Sequence, residues 1–313
     1  MRILLLTLCM LVCPPAQGRD SVSIVFWNLE NFFDYFDDEA GDSDSEFSSR
    51  GARRWTKRRF AAKCNAVAKS LLWMGESRGR MPDIVAVAEV ENRFVMKKLL
   101  DLTPLWKFGY RIVHYDSPDP RGIDVALLYR EGRLSLESSR PCRIDSIATR
   151  DILLARFVTE GGDSLALTVN HHPSKHGGDA SQGRRIMALK RLDSLADTLQ
   201  MQGWSHMVAI GDFNDTPDSP IYEMMERNWV NISAPAALRG RGSIRFNGRW
   251  QLIDQCFVSR PLSSRAAFEV VEVPFLTVGD AGHAGTRPMR TYSGPRYVGG
   301  VSDHYPVVAD ILF

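Results

Sequence analysis

The chain has 313 residues, 44% hydrophobic and 24% charged, with a formal net charge of only +2 and a mean hydropathy of -0.19. That is the composition of a soluble globular protein able to bury a substantial core. The near-neutral balance excludes a global field for polyanions, so any such binding must come from local clusters.

The first 18 residues read as a secretory signal peptide: Arg2, an apolar run over residues 3–13, Pro14-Pro15, then the small-residue pattern Ala16-Gln17-Gly18. The run is too short to anchor in a bilayer. Cleavage after Gly18 and export to the periplasm or the exterior are expected. Val12 is bulkier than the residue a lipidation site at Cys13 would want. The mature chain keeps Cys64, Cys142 and Cys256, whose wide spacing gives neither a disulfide framework nor a metal site.

Residues 21–27 alternate and then become continuously apolar, which predicts a strand ending at Asn28-Leu29-Glu30-Asn31. Residues 34–50 turn acidic and Ser-rich, as in a mobile surface insertion. Arg53, Arg54, Arg58 and Arg59, with Trp55 and Phe60, open a helix continuing through Trp73. That cluster is either a polyanion contact or a solvated face. A strand over 84–88 delivers Glu89, whose carboxylate needs a cation there, either a metal or a nearby Arg. Glu91 reads as exposed. Strands over 110–115 and 123–129 flank a turn carrying Arg121. With runs at 134–138, 152–157 and 165–169, the central third reads as an antiparallel layer.

The 165–169 strand empties into Asn170-His171-His172-Pro173-Ser174-Lys175-His176, followed by an amphipathic helix from Arg184 to Leu199. A buried strand over 207–210 then breaks at Gly211 and delivers Asp212, Asn214 and Asp215. Asp254 lies within a strand-like run and so is expected buried and paired. Asp303 and His304 precede the closing strand, residues 307–313. Strand blocks in both halves, with helices between, suggest two packed sheets. The oxygen-rich set Asn28, Glu89, Asp212, Asn214, Asp254 and Asp303 suits a hard cation with open positions for phosphate and water. Beside it, His304 is a candidate general base, and His171 and Asn214 are candidate donors to phosphate oxygens.

Asn28 after its strand, Asp-Ile-Val-Ala-Val-Ala-Glu89-Val, the His after Thr-Val-Asn, Gly-Asp-Phe-Asn and Ser-Asp-His-Tyr-Pro resemble the ordered motifs of the endonuclease/exonuclease/phosphatase superfamily. The resemblance covers residues 21–313. It implies an α/β (α+β) fold, a four-layer α/β/β/α sandwich of two mixed sheets, as one catalytic domain over residues 19–313. It also implies a metal-dependent phosphoester hydrolase using Mg²⁺, with Mn²⁺ or Ca²⁺ as alternatives. Asn28 and Glu89 would hold the metal, and Asp303 would assist the metal or the base. Asp212 would activate water, Asn214 would position it, and His304 would contact the phosphate, oriented by Asp254. The residues alone favour His304 for activating water, and the choice stays open. His171 rather than His172 fits the strand end, because alternation sends His172 to the other face. Arg121 and Arg184 are candidate substrate contacts.

Export argues against intracellular repair or inositide signalling. The basic residues, including Lys175 and Arg185, favour nucleic acid as substrate, acted on by a monomer. A lipid head group or small phosphoester is the alternative, and a non-catalytic binding module the third reading.

Overall fold

The computed structural model describes residues 20–37, 43–175 and 178–313, so the signal-peptide reading and His176 fall outside the described residues. In the first half the principal strands are β1 (Ser21–Phe32), β2 (Ile84–Val90), β3 (Tyr110–His114), β4 (Asp124–Arg130), β5 (Leu134–Cys142) and β6 (Ile152–Thr159). The second half adds β7 (Ser164–His171), β8 (Met207–Asp212), β9 (Trp229–Asn231), β10 (Asp254–Ser259), β11 (Ala266–Val270) and β12 (Val307–Leu312). Three helices matter most: α1 (Lys57–Ser77), α2 (Arg93–Asp101) and α3 (Gly178–Met201). Thr56 caps α1 through the Arg59 N–H and Asn92 caps α2 through the Val95 N–H, the use to which such side chains are suited. No helix among the described residues is long and apolar enough to cross a membrane.

The strands form two six-stranded mixed sheets, ordered β11-β12-β1-β2-β4-β3 and β5-β6-β7-β8-β10-β9. Three apolar clusters define four layers. Val25, Phe60, Leu71 and Val87 join the first sheet to α1 and α2. Phe26, Ile84, Leu167, Ile210 and Ala309 fill the space between the sheets. Leu154, Leu189, Leu192 and Phe257 join the second sheet to α3. Successive strand residues such as Val25 and Phe26 therefore serve opposite cores, which is why these strands read as continuous apolar runs. The free thiols of Cys64, Cys142 and Cys256 are buried.

The central third is not one antiparallel layer. β3 and β4 belong to the first sheet, whereas β5, β6 and β7 start the second. Hairpin spacing is the same within a sheet as across the step between sheets, so spacing alone merges them. The acidic stretch is also partly built in. Residues 38–42 lie outside the described residues. Asp44–Phe47 forms one helical turn, and Phe47 stacks on Phe33 with ring centroids 4.9 Å apart. That aromatic anchor is what a reading from acidity alone overlooks.

Register decides where the polar groups go. β1 and β2 are parallel, as are β7 and β8, so each pair ends at one edge of its sheet. β12 runs antiparallel to β1 with Val307 opposite Phe26, which brings the segment before it, Ser302 to Pro306, to that same edge. In the second sheet Asp254 stands opposite Asp212, and His171 stands beside it. Gly211 allows this closeness, because a Cβ there would fall on the Asn170 carbonyl oxygen of the neighbouring strand. Gly211→Ala is expected to cost about 1–3 kcal/mol or more through overpacking. Thermal denaturation checks this, and an unchanged Tm would contradict so close an approach.

Candidate active site

The edges of the two sheets meet in a polar floor. Asn28 Nδ2 donates to Asp212 Oδ2 at 3.1 Å and reaches Glu89 Oε1 at 3.4 Å. His304 Nδ1 lies 2.7 Å from Asp254 Oδ2. The Asn28–Asp212 and His304–Asp254 contacts span the two sheets, whereas Asn28–Glu89 lies within the first. His171 Nε2 sits between them, 3.8 Å from Glu89 Oε1 and 3.7 Å from Asp212 Oδ2. Asp212, Asp254 and His304 bring ligand-capable atoms within 4.8 Å of one another.

The backbone is bent to achieve this. Among the described residues seven non-glycine positions have positive φ, and four of them, Glu30, Asn31, Glu89 and Asn214, lie at this site. The pairing of β1 with β2 shifts between Asn28 and Phe32, and that of β2 with β4 between Ala88 and Val90. Irregularities of this kind re-aim side chains and carry strain of about 1–3 kcal/mol per residue, offset by the surrounding fold. At Glu89 the left-handed residue turns the carboxylate into the gap between the sheets. The Asn31 N–H donates to its Oε2 at 2.8 Å.

Hydrogen bonds hold the closing loop in place. The Ser302 hydroxyl donates to the Asn28 carbonyl at 2.6 Å and accepts from the His304 N–H at 3.0 Å. The Trp27 indole donates to the His304 carbonyl at 2.9 Å. Asp212 is fixed likewise: its Oδ1 accepts from the Asn214 N–H at 2.9 Å. The Asn214 amide itself donates to the His172 carbonyl at 3.0 Å. Asn214 thus steadies Asp212, and its amide nitrogen is committed to His172.

Charge is unevenly matched. Glu89 and Asp212 form no ion pair with Lys or Arg among the described residues; His171 is the only basic partner of either. Among the described residues no Arg or Lys lies in ion-pair contact with Glu89, and Lys63, Arg150 and Arg290 feel its charge only from farther away. Burial and the Asp254 carboxylate push Asp212 up to about 7. Burial and Asp303 push Glu30 up to about 7 as well. Burial alone would depress His304, but Asp254, Asp303 and Asp212 outweigh it and lift the imidazole well above its ordinary value. His171 goes the other way, held well below its usual range by burial and by Arg150 and Arg121. Asp212, buried without a Lys or Arg in ion-pair contact among the described residues, beside Glu89, is what a site for a hard cation looks like before the ion's own charge is counted.

The structure brings together Asn28, Glu89, His171, Asp212, Asn214, Asp254 and His304. Asp303 lies at the rim, 3.7 Å from His304 Nε2 and paired with Arg290 at 3.0 Å. His172 is buried on the other face, its ring edge-on to Phe213. Arg121 and Arg184 line a separate cavity beside the site. Glu91, expected exposed, is buried and accepts the Asp34 N–H at 2.7 Å, with burial pushing it up to about 8. The Asp34 N–H and the Asn92 amide, both donating to Glu91, are what hold it inside.

Three participants escaped the sequence reading. Glu30 accepts from the Thr291 N–H at 3.0 Å and pairs with Arg290 at 2.7 Å. Lys63 is buried in α1, donating to the Glu30 carbonyl at 2.6 Å and the Thr291 hydroxyl at 2.9 Å, and it feels the charge of Glu30, Glu89 and Asp303. Arg150 is tied to Asp119 at 2.8 Å and donates to the His172 carbonyl at 2.8 Å. An acid two residues after Asn28 was the signal available for Glu30. A lysine on the apolar face of a helix was the signal for Lys63.

A model of the Endonuclease/Exonuclease/phosphatase family matches residues 23–312. The chain belongs to this family. It is therefore a phosphoric ester hydrolase of a kind that uses divalent metals, and its α/β/β/α sandwich is that family's fold. Solved structures agree on the fold. Humanized D. rerio TDP2 superposes with a TM-score of 0.59 at 12% identity, covering 94% of this chain and 100% of its own. The mannosyl-6-phosphatase of Bacteroides thetaiotaomicron gives 0.58 at 15%, covering 93% and 100%. The human Nocturnin catalytic domain gives 0.58 at 17%, covering 95% and 96%. No sequence among curated proteins matches it.

Proposed function

We propose that this family member is an exported, monomeric Mg²⁺-dependent phosphodiesterase acting on nucleic acid outside the cytoplasm. The observation that carries the substrate is the placement of cations on both flanks of the floor. Arg290 pairs with Asp303 at the rim and lines one cavity with Arg53, and Arg121 and Arg184 line another beside the segment that follows His171 and His172. A charged strand crossing the site would meet cations before and after the scissile bond.

Asn28, Glu89, Glu30 and Asp303 are the oxygen donors that would hold the ion. Bound there, Mg²⁺, or Mn²⁺ or Ca²⁺ in its place, supplies Lewis-acid stabilisation of phosphoryl charge and acidifies water. Asp212, with both oxygens oriented by Asn28 and Asn214, takes the proton from the attacking water. Asp254 keeps His304 protonated and so unsuited to be that base. His304 instead donates from Nε2 to a non-bridging oxygen as charge builds. His171 does the same from Nε2.

One observation favours a small phosphoester instead. Several cations expected to meet a nucleic-acid backbone are used internally: Arg53 pairs with Glu46, Arg59 donates to the Arg53 and Arg54 carbonyls, and Lys175 and Arg185 pair with Asp215. Incubating residues 19–313 with supercoiled DNA and with a sugar phosphate, each with and without chelator, separates the readings. Chelator-sensitive nicking is expected. Hydrolysis of the sugar phosphate alone would move the substrate to the small-ester class, and inertness toward both would leave a binding module.

Metal should also register in stability. Saturation to about 100 times Kd adds about 2.7 kcal/mol, roughly 4 °C in Tm for a domain of this size. Calorimetry in chelator and in millimolar Mg²⁺ checks it, and coincident melts would count against the site.

A further inference from the structure

Beside the catalytic floor lies a second cavity of about 390 Å³, lined by Arg121, Arg184, Thr149, Arg150 and Asp119. It adjoins the site through Pro173 and Ser174, which directly follow His171 and His172. Three guanidinium groups face one carboxylate there, and Asp119 is already engaged by Arg150 at 2.8 Å. Arg121 Nε is 3.7 Å from Asp119, and Arg184 forms no ion pair among the described residues. Two donors on the wall are more than nine-tenths buried and find no partner: Thr149 Oγ1 and Arg150 Nε. The two terminal nitrogens of Arg150 are held by Asp119 and the His172 carbonyl, so its Nε and the Thr149 hydroxyl are the donors left over for an acceptor. Surplus positive charge with unfilled donors suits a phosphoryl group, whose several acceptor oxygens match forked guanidinium groups.

We propose that this cavity is a second anion subsite, holding a phosphoryl group of the substrate other than the one being hydrolysed. The inference rests on the phosphoester-hydrolase reading of the adjoining floor. On a nucleic-acid substrate the occupant is a terminal phosphate one nucleotide from the scissile bond. Such a subsite makes the enzyme prefer phosphorylated ends and small bisphosphates over lone monoesters. Free inorganic phosphate offers the same chemistry, so the test must separate it from a substrate group.

Two measurements on residues 19–313 do so, comparing wild type with the R121Q/R184Q double variant. Both positions are exposed, so the variant keeps the fold, and buried Arg150 is left intact. Calorimetric titration with inorganic phosphate in chelator should show binding that the variant weakens at least about tenfold. With Mg²⁺, a thymidine dinucleotide bearing a terminal 5′-phosphate should show a KM at least about tenfold below its unphosphorylated counterpart in wild type, a preference the variant loses. Equal phosphate binding by the two proteins would overturn the subsite. Weakened phosphate binding without any KM preference would overturn the substrate assignment and leave free phosphate as the occupant. If neither dinucleotide is cleaved, the assignment of the occupant to a terminal phosphate one nucleotide from the scissile bond fails, while nicking of supercoiled DNA still decides the nucleic-acid reading and the phosphate titration the subsite.

Discussion

Glu89→Gln is expected to weaken metal binding more than about 100-fold, because replacing even an outer partner of a metal ligand costs 10–100-fold. Activity at limiting metal should fall in step and recover only in part at high metal. The same substitution should not lower the Tm in chelator. Glu89 has no Lys or Arg in ion-pair contact among the described residues, so the amide removes a carboxylate charge near Asp212 without breaking an ion pair to Lys or Arg, and its oxygen can still accept the Asn31 N–H. Loss of metal affinity with retained metal-free stability is the signature of a ligand. Titration calorimetry with Mn²⁺ and a melt in chelator read the two halves separately. A large drop in Tm with metal affinity unchanged would make Glu89 a structural residue instead.

Asp254→Asn should be nearly as damaging, although Asp254 touches no substrate in this account. It is fully buried, with Oδ2 held 2.7 Å from His304 Nδ1. Its carboxylate keeps the imidazole charged in a setting that would otherwise strip the proton. An amide of the same shape preserves the packing and removes the charge. Positioned acid–base groups contribute typically 10²–10⁴-fold, so kcat is expected to fall by about that factor while KM moves little. His304→Ala should give a comparable kcat, and the double variant should lose little more, because the two residues act as a unit. Additive losses in steady-state kinetics would contradict the pairing.

How much of this was legible beforehand depends on where each residue sits relative to a regular strand. Asp212 ends an apolar run and Asp254 interrupts one, so the burial of Asp254 and the place of Asp212 at a strand end could be read from pattern alone. His171 over His172 followed from alternation, which holds through β7, buried on both faces. Glu91 was read as exposed because it follows the end of an apolar run, whereas contacts from Asp34 and Asn92 bury it. Glu30 was passed over for a different reason: Glu30 and Asn31 have positive φ, and no periodicity anticipates where such a side chain points. Arg150 lies outside any strand, and its role depends on Asp119 and the His172 carbonyl, partners distant in sequence. The layers were legible as two sheets, but the division of the central strands between them was fixed by register.

The measurement that bears most directly on a single metal-dependent hydrolytic centre is turnover of a nitrophenyl phosphodiester by residues 19–313. It would be run in chelator, after Mg²⁺ or Mn²⁺ is restored, and again with Asp212→Asn. Wild type should be silent in chelator and regain full activity with metal. Asp212→Asn should stay about 10²–10⁴-fold slower under every condition, as befits loss of the group that takes water's proton. Hydrolysis that ignores chelator, or that survives Asp212→Asn undiminished, would place the chemistry elsewhere on the molecule.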